Sequence, residues 1–100
     1  MEIKIAKTFC DRLIGLSFKK NINYGMIFNK CNKIHTFMMK FNLDIYILDN
    51  NNMIVEVKKD VTKNKIVIIN LPRKKTSVLE IPSNTGFNHQ IGDVLFTDNI

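Results

Sequence analysis

LDIYILDNNNMIVEVK, residues 43–58, is the stretch that decides the fold. Leu43, Ile45 and Ile47 fall on one side of an extended chain, and Asp44, Tyr46 and Leu48 on the other. A period of two is that of a strand, not a helix. Asp49-Asn50-Asn51-Asn52 then reads as a turn, because asparagine accepts positive φ and bonds to its own nearby backbone. Residues 53–58 return as the partner strand, with Val55 and Val57 on one face. The segment therefore predicts a β-hairpin.

Working outward, residues 36–41 alternate in the same way, with Phe37, Met39 and Phe41 on one face, and predict a further strand. Residues 24–28 read as a buried strand opened by Gly25, and residues 2–7 as a half-buried one. Thr8 is placed to cap a short helix that carries Phe9, Leu13 and Leu16 at helical spacing and ends near Gly15. Residues 66–69 are a continuous aliphatic run, expected as a strand buried on both faces or a sheet-core segment. Residues 78–81 form a strand ended by Pro82. Ser83 predicts the cap of a second short helix through Gln90. Gly92 lets the chain turn, and residues 94–96 supply a last strand.

No long helix is present to carry a crossover between parallel strands. The expected architecture is mainly β: a small antiparallel β-barrel or jelly-roll-like sandwich with two short helices, in one domain spanning residues 1–100. One hundred residues leave no room for a second core.

Composition narrows the function classes. The net charge is +6, from fifteen Lys and Arg against nine Asp and Glu. Nucleic acid is the tempting partner, but Arg, which favours bidentate contacts to bases, is nearly absent, and the lysines are scattered as pairs. A basic nucleic-acid-binding barrel is kept as an alternative and not favoured. The longest aliphatic run, four residues, cannot cross a bilayer, which takes about 20 as a helix. The first residues alternate charged and apolar, unlike a signal peptide, so the chain as given reads as cytoplasmic. Two cysteines, Cys10 and Cys31, do not make a disulfide framework and are expected as thiols packed like small hydrophobes. No phosphate-binding glycine loop occurs, and no cofactor is expected.

Three stretches resemble the DUF192 family, also called UPF0127, of small bacterial and archaeal proteins. They are Arg12-Leu13-Ile14-Gly15-Leu16 with Gly25-Met26-Ile27-Phe28; His35 to Ile45 running on to Asp49; and Leu79-Glu80-Ile81-Pro82 with Gly92-Asp93. Together they span nearly the whole chain in the family order. The resemblance implies a compact, mainly β fold of jelly-roll or barrel type. It implies no activity, because the family is named for having none assigned. The sequence departs from the pattern at Ser17, where methionine is frequent, at Asn42 in place of proline, and at Asn84 in place of glycine. Lys63 and Asn64 stand for a proline and an aromatic, which leaves a pocket at that loop wider, more polar or absent.

The candidate site is a pocket or groove lined by Gly25, His35, Thr36, Met39 and Asp44, with Arg12 near its rim. Methionine and aromatic side chains suit an apolar ligand, and a few polar groups orient it. The expected partner is a small ligand or a peptide segment, bound by a binding or accessory domain of unassigned biochemical function. The alternative is an enzyme using His35 and Asp44 as a general acid–base pair, for which a bulge at Asn42-Leu43 must re-aim Asp44. The plainer reading has His35 bonded to backbone and Asp44 capping a turn or strand edge. Cys31 and His35 make one close pair, but its spacing of four suits a helix better than a strand and a closed zinc site wants two such pairs, so no metal is expected. His89 reads as a solvated residue on the second helix. An exposed edge strand could also recruit a partner chain by strand addition.

Overall fold

The structure, a computed structural model, describes residues 1–7 and 22–95. These form seven strands: β1 (Glu2–Ile5), β2 (Tyr24–Phe28), β3 (Lys33–His35), β4 (Leu43–Leu48), β5 (Ile54–Val61), β6 (Ile66–Ile68) and β7 (Ser77–Pro82). One turn of 3-10 helix, Arg73–Lys75, precedes β7. A five-stranded sheet runs in the order β1-β2-β7-β4-β5, and β3 pairs with β6 in a separate two-stranded sheet.

β4 is the centre. All six of its residues are buried, so it meets a core on each side. Leu43, Ile45 and Ile47 join Met26, Phe28 and Val78 in a first core, onto which the small sheet lays Ile34 and its neighbour Met39. Tyr46 and Leu48 join Ile27, Leu79 and Ile81 in a second core, with Leu95 and the half-buried Phe87 packed there. Alternation of side chains is what lets one strand serve both layers.

The 43–58 hairpin forms through the chemistry that asparagine and aspartate supply. The Asp49 carboxylate Oδ1 accepts the backbone N–H of Asn51 at 2.8 Å and of Met53 at 3.0 Å. Asn52 takes a left-handed φ of 62°. β5 then departs from simple alternation. Leu48 faces Ile54 while Ile47 faces Glu56, which leaves Val55 as an extra residue. Ile54 and Val57 consequently point into the second core, while Val55 faces solvent. The expectation that Val55 and Val57 share a face fails for that reason.

The barrel and the second short helix are corrected by the structure. The five-stranded sheet is open: among the described residues no ladder joins β1 to β5. Residues 36–41 do not form the strand that closure would use. Met38 sits at φ 60° and the Met39 N–H reaches back to the Thr36 carbonyl, so the chain turns there. Residues 83–90 contain turns and no α-helix. The Ser83 hydroxyl, instead of capping a helix, donates to Asp44 at 2.8 Å. The Thr8-capped helix, with Cys10 and Arg12, falls on residues outside those described. β1 and β2 pair in parallel, against the antiparallel expectation, while the remaining pairs are antiparallel. Of the expected last strand, Val94 makes one bridge, to Met53, and Phe96 lies outside the described residues. β6 is not buried on both faces: Ile66 and Ile68 are 56% and 72% exposed.

Candidate functional site

Thr36 organises the region around the candidate residues. It is fully buried where β3 gives way to the turn toward β4. Its hydroxyl donates to the Thr62 carbonyl at 2.7 Å and accepts the Lys65 N–H at 2.8 Å. Its own N–H donates to the Lys65 carbonyl, and its carbonyl accepts the Asn64 N–H. One side chain thus ties the 37–42 connection to the loop between β5 and β6.

Between these two loops lies an open concavity of about 450 Å³, lined by Met39, Lys40, Phe41, Asn42, Thr62 and Lys63. Met39 is buried within the first core and Phe41 packs against that core, so the floor is apolar. Lys40 and Lys63 are exposed at its rim. Lys63, which stands where the resemblance led to proline or aromatic, makes this wall cationic.

His35 is on β3, opposite Ile66. Its Nδ1 accepts the Phe37 N–H at 3.2 Å, so the neutral ring carries its hydrogen on Nε2. The rings of His35 and Phe37 stack at 4.9 Å. His35, Thr36 and Met39 therefore lie along one short connection, with Met39 directly on the concavity.

Asp44 is elsewhere, on the second-core face of β4. Its Oδ1 accepts the Asp60 N–H at 3.0 Å and the Ser83 hydroxyl, and its Oδ2 meets Lys59 Nζ at 3.0 Å. Burial pushes the carboxyl up, but the hydrogen bonds from Asp60, Lys59 and Ser83 outweigh it and hold Asp44 below its ordinary value of 3.8. The hydrogen bond to Asp44 raises Lys59 above its ordinary 10.5. Leu43 faces Val61 and Ile45 faces Lys58, so the irregularity lies in β5 at residues 59 and 60, not at Asn42-Leu43. Asp44 caps that bulge, and His35 is not among its partners.

Gly25 serves packing. A Cβ there would stand 3.0 Å from the Glu80 carbonyl and from Ile3 Cδ1, and would overlap Ile81 Cδ1. Glu80 itself is buried on β7, facing Met26 of β2 and Ile45 of β4. Arg12 lies outside the described residues. Cys31 directs its Sγ to the Lys33 carbonyl at 3.3 Å. His89 is not on a helix: its Nδ1 lies 3.2 Å from Asp93 Oδ2, beside the ring of Phe87. Among the described residues no three His, Cys, Asp or Glu side chains converge as metal ligands, and no helix is long and apolar enough to cross a membrane.

Sequence reasoning missed Lys40, Asn42, Thr62 and Lys63 as concavity walls, and Lys59 and Ser83 as the partners of Asp44. The departure at Lys63 and Asn64 was the available signal for the first group.

The family model of DUF192, an uncharacterized ACR, matches residues 1–95. The chain belongs to the DUF192 family. Similar curated proteins include the UPF0127 protein of Thermococcus sibiricus (strain DSM 12597 / MM 739), 35% identical over 63 residues. That match takes 57% of this DUF192 chain and 41% of the relative. A UPF0127 protein of Thermococcus kodakarensis is 33% identical over 63 residues, 57% of this chain and 40% of its own length. The chain thus spans about two fifths of the curated relatives it matches. Among solved structures, a protein of unknown function from Novosphingobium aromaticivorans DSM 12444 superposes with TM-score 0.69 at 19% identity, over 82% of this chain and 63% of that one. A candidate transcription regulator from Sinorhizobium meliloti 1021 superposes with TM-score 0.65 at 16% identity, over 83% and 69%. At such identities the likeness establishes the DUF192 fold alone.

Proposed function

We propose that this DUF192 domain is a binding or accessory module whose ligand seat is the concavity over Met39 and Phe41, next to His35 and Thr36. The observation that carries the reading is the combination of size and lining. A volume of about 450 Å³ falls within the range of roughly 300–1,000 Å³ typical of ligand sites. An apolar floor with Lys40 and Lys63 at the rim suits a small amphipathic anion, such as an aromatic or aliphatic acid or a peptide carboxylate. Acid–base chemistry by His35 with Asp44 draws no such support, because both Asp44 oxygens are engaged by Asp60, Ser83 and Lys59.

The test uses anilinonaphthalene sulfonate, which carries an anion on an aromatic body. Its fluorescence should rise saturably with the folded protein. Lys63→Glu should weaken binding about tenfold. Lys74→Glu, on the 3-10 turn outside the concavity, should leave it unchanged. Equal binding by both variants, or no saturable binding, rejects the seat.

A further inference from the structure

The small sheet has an outer face that the other described residues leave uncovered. Val67 packs inward on the first core. Ile66 and Ile68 point the opposite way and are 56% and 72% exposed. His35 and Lys33 stand directly across from them on β3, and the exposed Phe37 stacks on His35. Two isoleucines two residues apart on one uncovered strand are an unusual exposure for a chain with ample core to fill.

The backbone of β6 adds to this. The Ile69 N–H donates to Asn32, and the Thr36 N–H donates to Lys65. Bonded pairs recur every second residue, so Ile34 and Val67 are the bonded pair between them. The N–H and C=O groups of Ile66 and Ile68 therefore point away from β3, toward an edge that pairs with no strand among the described residues.

Charge is the third observation. Residues 30–41 and 62–75, which build and flank this sheet, hold eight of the fifteen Lys and Arg and none of the nine Asp and Glu. Lys33 stands across from Ile68 and Lys65 immediately precedes Ile66, so cations flank the exposed isoleucines with no acid on either segment.

We propose that β6 accepts an added strand from a partner protein. The partner segment is extended, with apolar side chains at alternate positions for Ile66 and Ile68 and with Asp or Glu for Lys33 and Lys65. The proposal is independent of the concavity, whose lining includes no residue of β3 or β6. Three occupants compete with it, and each meets a physical obstacle. A second copy would set Lys33 and Lys65 against the same lysines of its partner, and lysines beside an edge oppose self-pairing. A lipid surface would bury the outward N–H and C=O groups of β6 in hydrocarbon with nothing to bond them. Nucleic acid would meet isoleucines, which offer no face for stacking bases. An acidic strand satisfies the backbone, the apolar face and the charge together.

The probe is a synthetic hexapeptide of alternating valine and aspartate, titrated into the isotope-labelled protein. Binding should move the Ile66 and Ile68 amide resonances and slow their hydrogen exchange. It should weaken as salt is added. Ile68→Pro removes one outward N–H while leaving the Ile34–Val67 bonds, and edge strands tolerate proline. That variant should bind the peptide about tenfold more weakly. Its anilinonaphthalene sulfonate binding should match the parent, which separates this edge from the concavity. Equal peptide affinity for the parent and Ile68→Pro overturns the proposal. So does preferential binding to phosphatidylserine vesicles or to a single-stranded oligonucleotide, or dimerisation that Ile68→Pro abolishes.

Discussion

The Asp44 carboxylate accepts the backbone N–H of Asp60 at 3.0 Å, across the bulge that ends the regular pairing of β4 with β5. Asp60 is at φ 52°, a conformation that a side-chain-bearing residue adopts at a cost, and Asp44 supplies the bond that holds it. Asp44→Ala strands the Asp60 N–H and the Ser83 hydroxyl. It should lower unfolding free energy by about 1–3 kcal/mol, read from urea denaturation. An unchanged midpoint would mean that the bulge is set by β5 alone.

The same carboxylate predicts a pH dependence with two limbs. Asp44 is held below 3.8 in the folded protein, so its contribution is present above that pH and is lost as pH falls through the lowered value. Lys59 is raised above 10.5, so its contribution is present below 10.5 and lost as pH rises through the raised value. Urea midpoints measured across pH should show both losses. Lys59→Met should remove the alkaline one and blunt the acid one.

Thr36→Val keeps the shape of the side chain but deprives the Lys65 N–H and Thr62 carbonyl of their partner. A loss of about 1–3 kcal/mol is expected, with Thr36→Ser much closer to the parent. Amide exchange at Lys65 should quicken in the valine variant only. Similar exchange in both variants would show that backbone pairing suffices.

Gly25→Ala places a methyl against Ile81 Cδ1, so it should destabilise by about 1–3 kcal/mol through overpacking. Ile81→Val removes that atom. The double variant should therefore be more stable than the sum of the single losses implies, a coupling that a double-mutant cycle measures. Strict additivity would mean that the Glu80 carbonyl and Ile3 set the limit.

Asn84 is at φ 64°, the left-handed region that glycine occupies most readily, which accounts for asparagine standing where the resemblance led to glycine. Asn84→Gly should be nearly neutral. Asn84→Val should cost on the order of 1–2 kcal/mol in a thermal or urea melt.

The hairpin was legible because its rhythm and turn chemistry are local: alternating apolar residues, then Asp49 and three asparagines. What was not legible depended on distant partners. Nothing near Ser83 distinguishes a helix cap from a donor to Asp44, 39 residues away. The alternation of Phe37, Met39 and Phe41 matches a strand, but the hydroxyl of Thr36 binds a loop nearly thirty residues on and the chain turns instead. The parallel pairing of β1 with β2 joins segments 22 residues apart, with no signal in either strand. Of the candidate site, His35, Thr36 and Met39 were found on one connection. Asp44, expected as a partner of His35, holds the β5 bulge, and Gly25, expected as pocket lining, answers to packing.

Every residue of β4 is buried, and its alternate side chains fill opposite layers. The two layers consequently share one wall, a single strand thick. Neither can loosen while the other stays intact, because every departure of β4 empties space on both sides. Heat should melt the molecule in one cooperative step, with the tyrosine fluorescence of Tyr24 and Tyr46 and the far-ultraviolet signal changing together.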